Sequence, residues 1–175
     1  YVGGTFSSAQ AQGGSATDRS ALAAFDLDTG ALLTQWQADA NGIVRALASS
    51  GNHLYVGGDF TRIGGVSQAR LARLNLTTGN VDPGFEAKVN GSVRALATGG
   101  GAVFAGGGFT MSGGAAQRDL AKFDADTGAK ISAYPAQTDG AVDSLALSPE
   151  GSRLTVDGDF DALAGVKRLG MGLVD

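Results

Sequence analysis

Short apolar runs recur along the whole chain, each broken by glycine or by a cluster of turn-forming residues. None keeps a helical period for long. In the stretch 41–89 the runs fall at Val44–Ala48, Leu54–Phe60, Leu71–Leu76 and about Val81–Phe85, which predicts four consecutive strands, a to d. The a–b link is "SSGN" and the c–d link is "LTTG". Such "TTG" or "DTG" links predict a type I turn whose glycine takes positive φ as a bulge, with the Asp or Thr oxygen bonding nearby amides.

The pattern then repeats every 49 residues. Leu22, Leu71 and Leu120 open "LAAFDLDTG", "LARLNLTTG" and "LAKFDADTG", and Leu169 opens a shortened tail. Asn41, Asn90 and Asp139 open "NGIVRALA", "NGSVRALA" and "DGAVDSLA", while Trp36, Phe85 and Tyr134 keep one aromatic slot. Strand b reads "YVGGTF", "YVGGDF", "FAGGGF" and "TVDGDF". A repeat of ~40–50 residues holding four antiparallel strands predicts β-propeller blades, in which paired glycines let adjoining backbones approach. The expected fold is therefore all-β, with about three and a half blades: a partial unit at 1–40, units at 41–89 and 90–138, and a partial unit at 139–175. Four whole blades exceed the 175 residues. The expectation is an excised or mature piece of a larger propeller, or one that pairs with a second copy.

Composition narrows the function classes. Glycine supplies 29 residues, more than twice the usual share of roughly 7%, and charged residues are 17% with a net charge of −4. That balance offers no basic surface for nucleic acid or an anionic membrane. There is no cysteine, which removes disulfides, thiol catalysis and thiolate metal sites. The uncharged span Ala95–Gln117 is long enough to suggest membrane insertion, but it holds eight glycines, and its counterpart one repeat earlier contains His53, Asp59 and Arg62. His53 is the only histidine, and no nucleophile elbow or phosphate-binding loop occurs.

The order "VGGDF", "LARLN", "DPGF", "VRALA" resembles a bacterial β-propeller family of uncharacterised function, the "delta sixty" repeats. The unit is also similar to that of fungal cortical polarity proteins related to bud-site selection. This resemblance covers essentially the whole chain and implies large secreted or surface proteins with no assigned reaction. "LAAFDLDTGALLTQW" resembles the quinoprotein repeat, which implies a quinone cofactor and often calcium at the centre of a larger propeller.

Candidate chemistry is sparse. Asp26, Asp28, Asp124 and Asp126 begin D-x-D loops and are candidate calcium ligands, although calcium wants 6–8 oxygens and the equivalent residues Asn75 and Thr77 point to turn chemistry. Arg45, Arg94 and Asp143 share a slot on strand a, next to the propeller axis, either as channel-mouth charges or as an Arg94–Asp143 ion pair between blades. Two glycosylation sequons begin at Asn75 and Asn90. The a–b and c–d links are tight and alike, whereas the b–c links are longer and unequal. Ligands are expected on the b–c and d–a side, with Arg19, Arg62, Arg70 and Arg118 either contacting them or holding the loops shut. The expected role is non-catalytic and cofactor-free: an extracellular or cell-surface scaffold presenting loops to a protein or glycan. The alternatives are a quinone-dependent dehydrogenase and a structural spacer in a large adhesin.

Overall fold

The computed structural model describes all residues, 1–175. It is all-β with no helix, so no helix is long and apolar enough to cross a membrane. The second unit forms an antiparallel sheet from strand a (Val44–Ser50), strand b (His53–Gly58) and strand c (Leu71–Asn75). The third repeats it with Ser92–Gly99, Ala102–Gly108 and Leu120–Asp124, and the fourth with Ala141–Leu147, Leu154–Asp159 and Met171–Val174. The first unit contributes strands b and c, Val2–Gly3 paired with Leu22–Ala23.

Strand d is shorter than the sequence predicts, reduced to the single bridges Phe25–Leu32, Leu74–Val81 and Phe123–Lys130. The chain turns immediately afterwards, with the amides of Trp36, Phe85 and Tyr134 donating to Leu33, Asp82 and Ile131. That turn tucks the aromatic slot inward instead of extending the strand. The c–d turns match their predicted chemistry, since Gly30, Gly79 and Gly128 all have positive φ.

The core lies between the sheets rather than within any one of them. Three buried clusters exist, one at each joint between successive units. On strand b of the second unit, Leu54 and Val56 face back to Leu22, Ala24 and Trp36, while Tyr55 faces forward to the cluster of Val93, Val103 and Phe123. Gly57 also faces forward. A Cβ there would lie 2.6 Å from Cγ1 of Val93, well inside van der Waals contact. Gly3 against Val44 and Gly106 against Val142 repeat this geometry. The second glycine of the pair serves a different approach, because a Cβ on Gly58 or Gly107 would overlap the carbonyl oxygen of Ile43 or Ser92 on the adjoining strand a.

Polar ties reinforce the first two joints. The carbonyl of Leu76 accepts from the Tyr1 hydroxyl (2.7 Å) and the Trp36 indole (2.9 Å) of the preceding unit. One joint later, the Ala125 carbonyl accepts from Tyr55 (2.9 Å) and Arg73 (3.0 Å). Arg73 also pairs with Asp82 and, across the joint, with Asp126 at 3.0 Å. The third joint differs. Phe104 replaces the tyrosine, Lys122 lies over the Phe104 and Tyr134 rings, and the buried Tyr134 hydroxyl has no partner. Burial pushes that hydroxyl's pKa up to about 12.

The four units form an open series. Packing links each unit to the next, and nothing of similar extent joins the first to the last. The recurrence of Phe60 and Phe109 on strand b and of Phe25 and Phe123 on strand c predicts burial between blades; Phe60, Phe109 and Phe123 are buried, but Phe25 is only half-buried. The reason is its direction: Phe25 faces backward from the first unit, where no sheet covers it, whereas Phe123 faces back onto the second unit. Phe109 sits wholly in the second joint, so Phe109→Ala is expected to destabilise the protein by about 3–5 kcal/mol in chemical denaturation. A loss under about 1 kcal/mol would mean that the joint closes without it.

Candidate binding face

Each b–c link folds into a small hairpin. These pair Ser8–Ala9 with Thr17–Asp18, Arg62–Ile63 with Val66–Ser67, Met111–Ser112 with Ala115–Ala116, and Ala162–Leu163 with Val166–Lys167. The links that look irregular in sequence are therefore built on one plan, and the first merely carries a longer tip. The d–a segment runs alongside as a third strand, bridging Ala40 to Ile63 and Thr138 to Leu163.

Two recurring side chains hold this layer in place. Oδ1 of Asn41 accepts the amides of Thr61 and Arg62, both at 2.9 Å. Asn90 does the same for Thr110 and Met111, and Asp139 for Asp161 and Ala162. That shared task explains why this slot admits only Asn or Asp. It also engages the Asn90 sequon's acceptor amide, whose Nδ2 donates to Thr110. A second slot reaches from the b–c hairpin to the carbonyls of the d–a segment. Gln68 donates to Phe85, Gln117 to Ala136 (2.9 Å), and Arg19 to Thr34 (2.8 Å).

Arg19 is thus a clamp, with only 4% of its surface exposed. Arg70 has φ of 69° and bonds the Asp59 carbonyl at 2.8 Å, with the Asp59 carboxylate at 3.7 Å. Arg62 is exposed but bonds Gly65 within its own hairpin tip. Arg118 is exposed beside Asp119. The structure does not gather these four into one patch, since each belongs to its own unit except for Arg62 and Arg70.

The strand-a charges occupy β-bulges. The a–b register shifts between Val44 and Ala46, Val93 and Ala95, and Val142 and Ser144, leaving Arg45, Arg94 and Asp143 as the extra residues. Arg45 pairs with Asp59 of its own blade at 2.6 Å, and Arg94 with Asp143 of the next at 2.7 Å. The D-x-D residues build turns on the opposite side. Asp26 and Asp124 each accept the amide and hydroxyl of Thr29 and Thr127, and those bonds hold both carboxylates below the usual range. Asp126 pairs with Arg73, and Asp28 is exposed in its turn. No group of three or more His, Cys, Asp or Glu stands in metal-binding reach.

Two open clefts flank the segment 83–89. The first, about 310 Å³, lies between it and the b–c hairpin of its own unit, lined by Ser67, Gln68, Pro83 and Phe85. The second, about 400 Å³, lies toward the third unit, between Gly113, Thr127 and Lys130. Glu86 and Lys88 border both, joined by a 2.7 Å ion pair. Lys88 has φ of 50°, and its repeat counterparts Asp39 and Gln137 do not take positive φ. Sequence reasoning missed this pair by attending to arginine. The available signal was a slot whose charge changes from copy to copy, Gln37 and Asp39 against Glu86 and Lys88 against Pro135 and Gln137.

A family profile described as "Domain of unknown function (DUF5122) beta-propeller" matches residues 52–85. Residues 52–85 thus match the repeat of an uncharacterised β-propeller family. The matched stretch contains strands b and c and the following turn, the part of the unit that carries "YVGGDF" and "LARLNLTTG". No curated protein matches the chain. Among solved structures, it is similar to the computationally designed Ika4 protein, at 16% identity and a TM-score of 0.38, covering 70% of this chain and 89% of that one. It is also similar to a chain of the mitotic checkpoint complex, at 16% identity and a TM-score of 0.39, covering 77% of this chain and 50% of that one.

The Asn/Asp clamp has a pH consequence. The Ala162 amide, then that of Asp161, hold the Asp139 carboxylate below its ordinary pKa. A depressed folded-state pKa contributes stability above the unfolded value that is lost as pH falls through the folded one, below about 4. Asp139→Asn keeps the acceptor that Asn41 and Asn90 use. It is expected to lose less stability than the wild type between neutral and acid pH in denaturant titrations, and equal acid loss would show that the clamp's charge plays no part.

Proposed function

We propose that this protein is a non-catalytic, cofactor-free scaffold that presents its b–c and d–a loops to a protein or glycan partner, outside the cell or at its surface. The observation that carries this reading is the pair of adjoining clefts around the Glu86–Lys88 ridge. They open where hairpins clamped by Asn and Gln side chains present the two-glycine tips Gly64–Gly65 and Gly113–Gly114. The opposite side consists of tight turns whose Asp26, Asn75 and Asp124 oxygens are already satisfied. Of the four arginines, Arg62 and Arg118 are the exposed ones, and both lie on the b–c links. The finer affiliation, to the "delta sixty" repeats and the fungal polarity propellers, rests on the ordered motifs "VGGDF", "LARLN", "DPGF" and "VRALA". The uncovered faces of the first and fourth units fit an arc completed by further blades or by a second copy.

The test places an environment-sensitive fluorophore at Ser67→Cys, on the cleft rim, or at Thr29→Cys, in an opposite-side turn. Each labelled protein is titrated with neutral and uronic-acid oligosaccharides and with surface proteins of the source cell. A saturable response is expected from the Ser67 label alone, weakened at least about fivefold by Glu86→Ala with Lys88→Ala while the melting temperature stays within ~2 °C. A response from the Thr29 label alone, or from neither, would contradict the reading.

A further inference from the structure

The forward-facing positions of strand b read Tyr1 and Gly3, Tyr55 and Gly57, Phe104 and Gly106, then Thr155 and Asp157. The first three pairs make the joints described above, in which an aromatic ring flanks a glycine that receives a valine methyl from the next sheet. The fourth breaks both rules. Strand pairing puts Ser144 and Met171 beside Asp157, and Ala146 and Leu173 beside Thr155, on one face of the last sheet. Asp157 is exposed and forms no ion pair there, and Met171 and Leu173 are 61% and 55% exposed.

A Cβ in the equivalent position already collides with the incoming valine, and a carboxylate extends further still. Pressing Asp157 against a valine would also bury its charge without a partner. Strand a carries valine in this slot in each of the three units that have it, as Val44, Val93 and Val142, so none of these three strands fits against Asp157. Acid–base pairs do cross joints in this fold, as Arg94 to Asp143 at 2.7 Å and Arg73 to Asp126 at 3.0 Å show.

We propose that the face of the fourth unit receives a β-sheet of different sequence, one whose strand a presents lysine or arginine opposite Asp157, with apolar neighbours covering Met171 and Leu173. The long stem of such a side chain packs over the two apolar residues while its head reaches the carboxylate. The three internal joints share the glycine–valine contact and this one does not. A single joint with its own charge requirement prevents otherwise similar blades from stacking out of order.

The experiment extends the full 175-residue chain at its C-terminus with the residues that complete the fourth unit and one further repeat copied from 90–138. Three versions are compared by amide hydrogen exchange: the copy of Val93 kept, that copy replaced by lysine, and the valine kept with Asp157→Gly. The valine version is expected to leave the strand Leu154–Asp159 and the appended strand a exchanging as if undocked. The lysine version and the Asp157→Gly version should each slow exchange in both strands by at least about tenfold. Added salt should weaken protection only in the lysine version. Docking of the valine version onto native Asp157 would overturn the proposal, as would a lysine version that fails where Asp157→Gly succeeds. Failure of the Asp157→Gly version would equally overturn it, because Asp157 would then not decide the joint.

Discussion

Everything in this fold depends on how closely one sheet approaches the next, and that distance is set where a strand-b glycine meets a strand-a valine. The contact occurs at Gly3 with Val44, Gly57 with Val93 and Gly106 with Val142, the valines falling one 49-residue repeat apart. No single sheet can bury its own apolar residues, since the second and third have only three strands and a vestige of a fourth, and the first and last have fewer. Burial is achieved only between sheets, so the glycine gap governs the packing of Tyr55, Phe60, Phe85, Phe109 and Phe123 around it. Stability in such an array is close to a sum over units and joints.

The candidate binding face follows from the same spacing. The d–a segment leaves one sheet and lies beside the b–c hairpin of the next, so it is positioned by the joint it crosses. Asn41, Asn90 and Asp139 bond the start of their hairpins, and Gln68, Gln117 and Arg19 bond carbonyls at or within two residues of an aromatic slot. The clefts beside Glu86 and Lys88 are the space left over between these fixed parts. Their shape is a property of the second joint rather than of a mobile loop.

Most of the architecture was legible in the sequence because repetition exposes which residues share a task. The period, the strands a to c, the positive-φ glycines of the c–d turns and the burial of Phe60 and Phe109 all follow from comparing copies. Strand d was over-read, because "VDPGF" has β-forming residues at both ends but a turn between them, and the turn prevails. Phe25 was over-read because its slot is buried only when a preceding sheet covers it. The site was harder. Arg19 looks like a surface arginine by type, and only the geometry shows that it replaces Gln68 and Gln117 as a clamp. The Glu86–Lys88 ridge sits in a slot that repeats in position and not in chemistry, so a search for shared motifs passes over it.

The most direct test of the glycine–valine spacing is a double-mutant cycle on Gly57→Ala and Val93→Ala, read by denaturant unfolding. A methyl on Gly57 forces the sheets apart, and removing the Val93 methyls makes room for it. Each single change is therefore expected to destabilise, and the double mutant should recover at least about 1 kcal/mol relative to their sum. Losses that add to within about 0.5 kcal/mol would contradict the account, because the two residues would then not share the contact that sets the distance between blades.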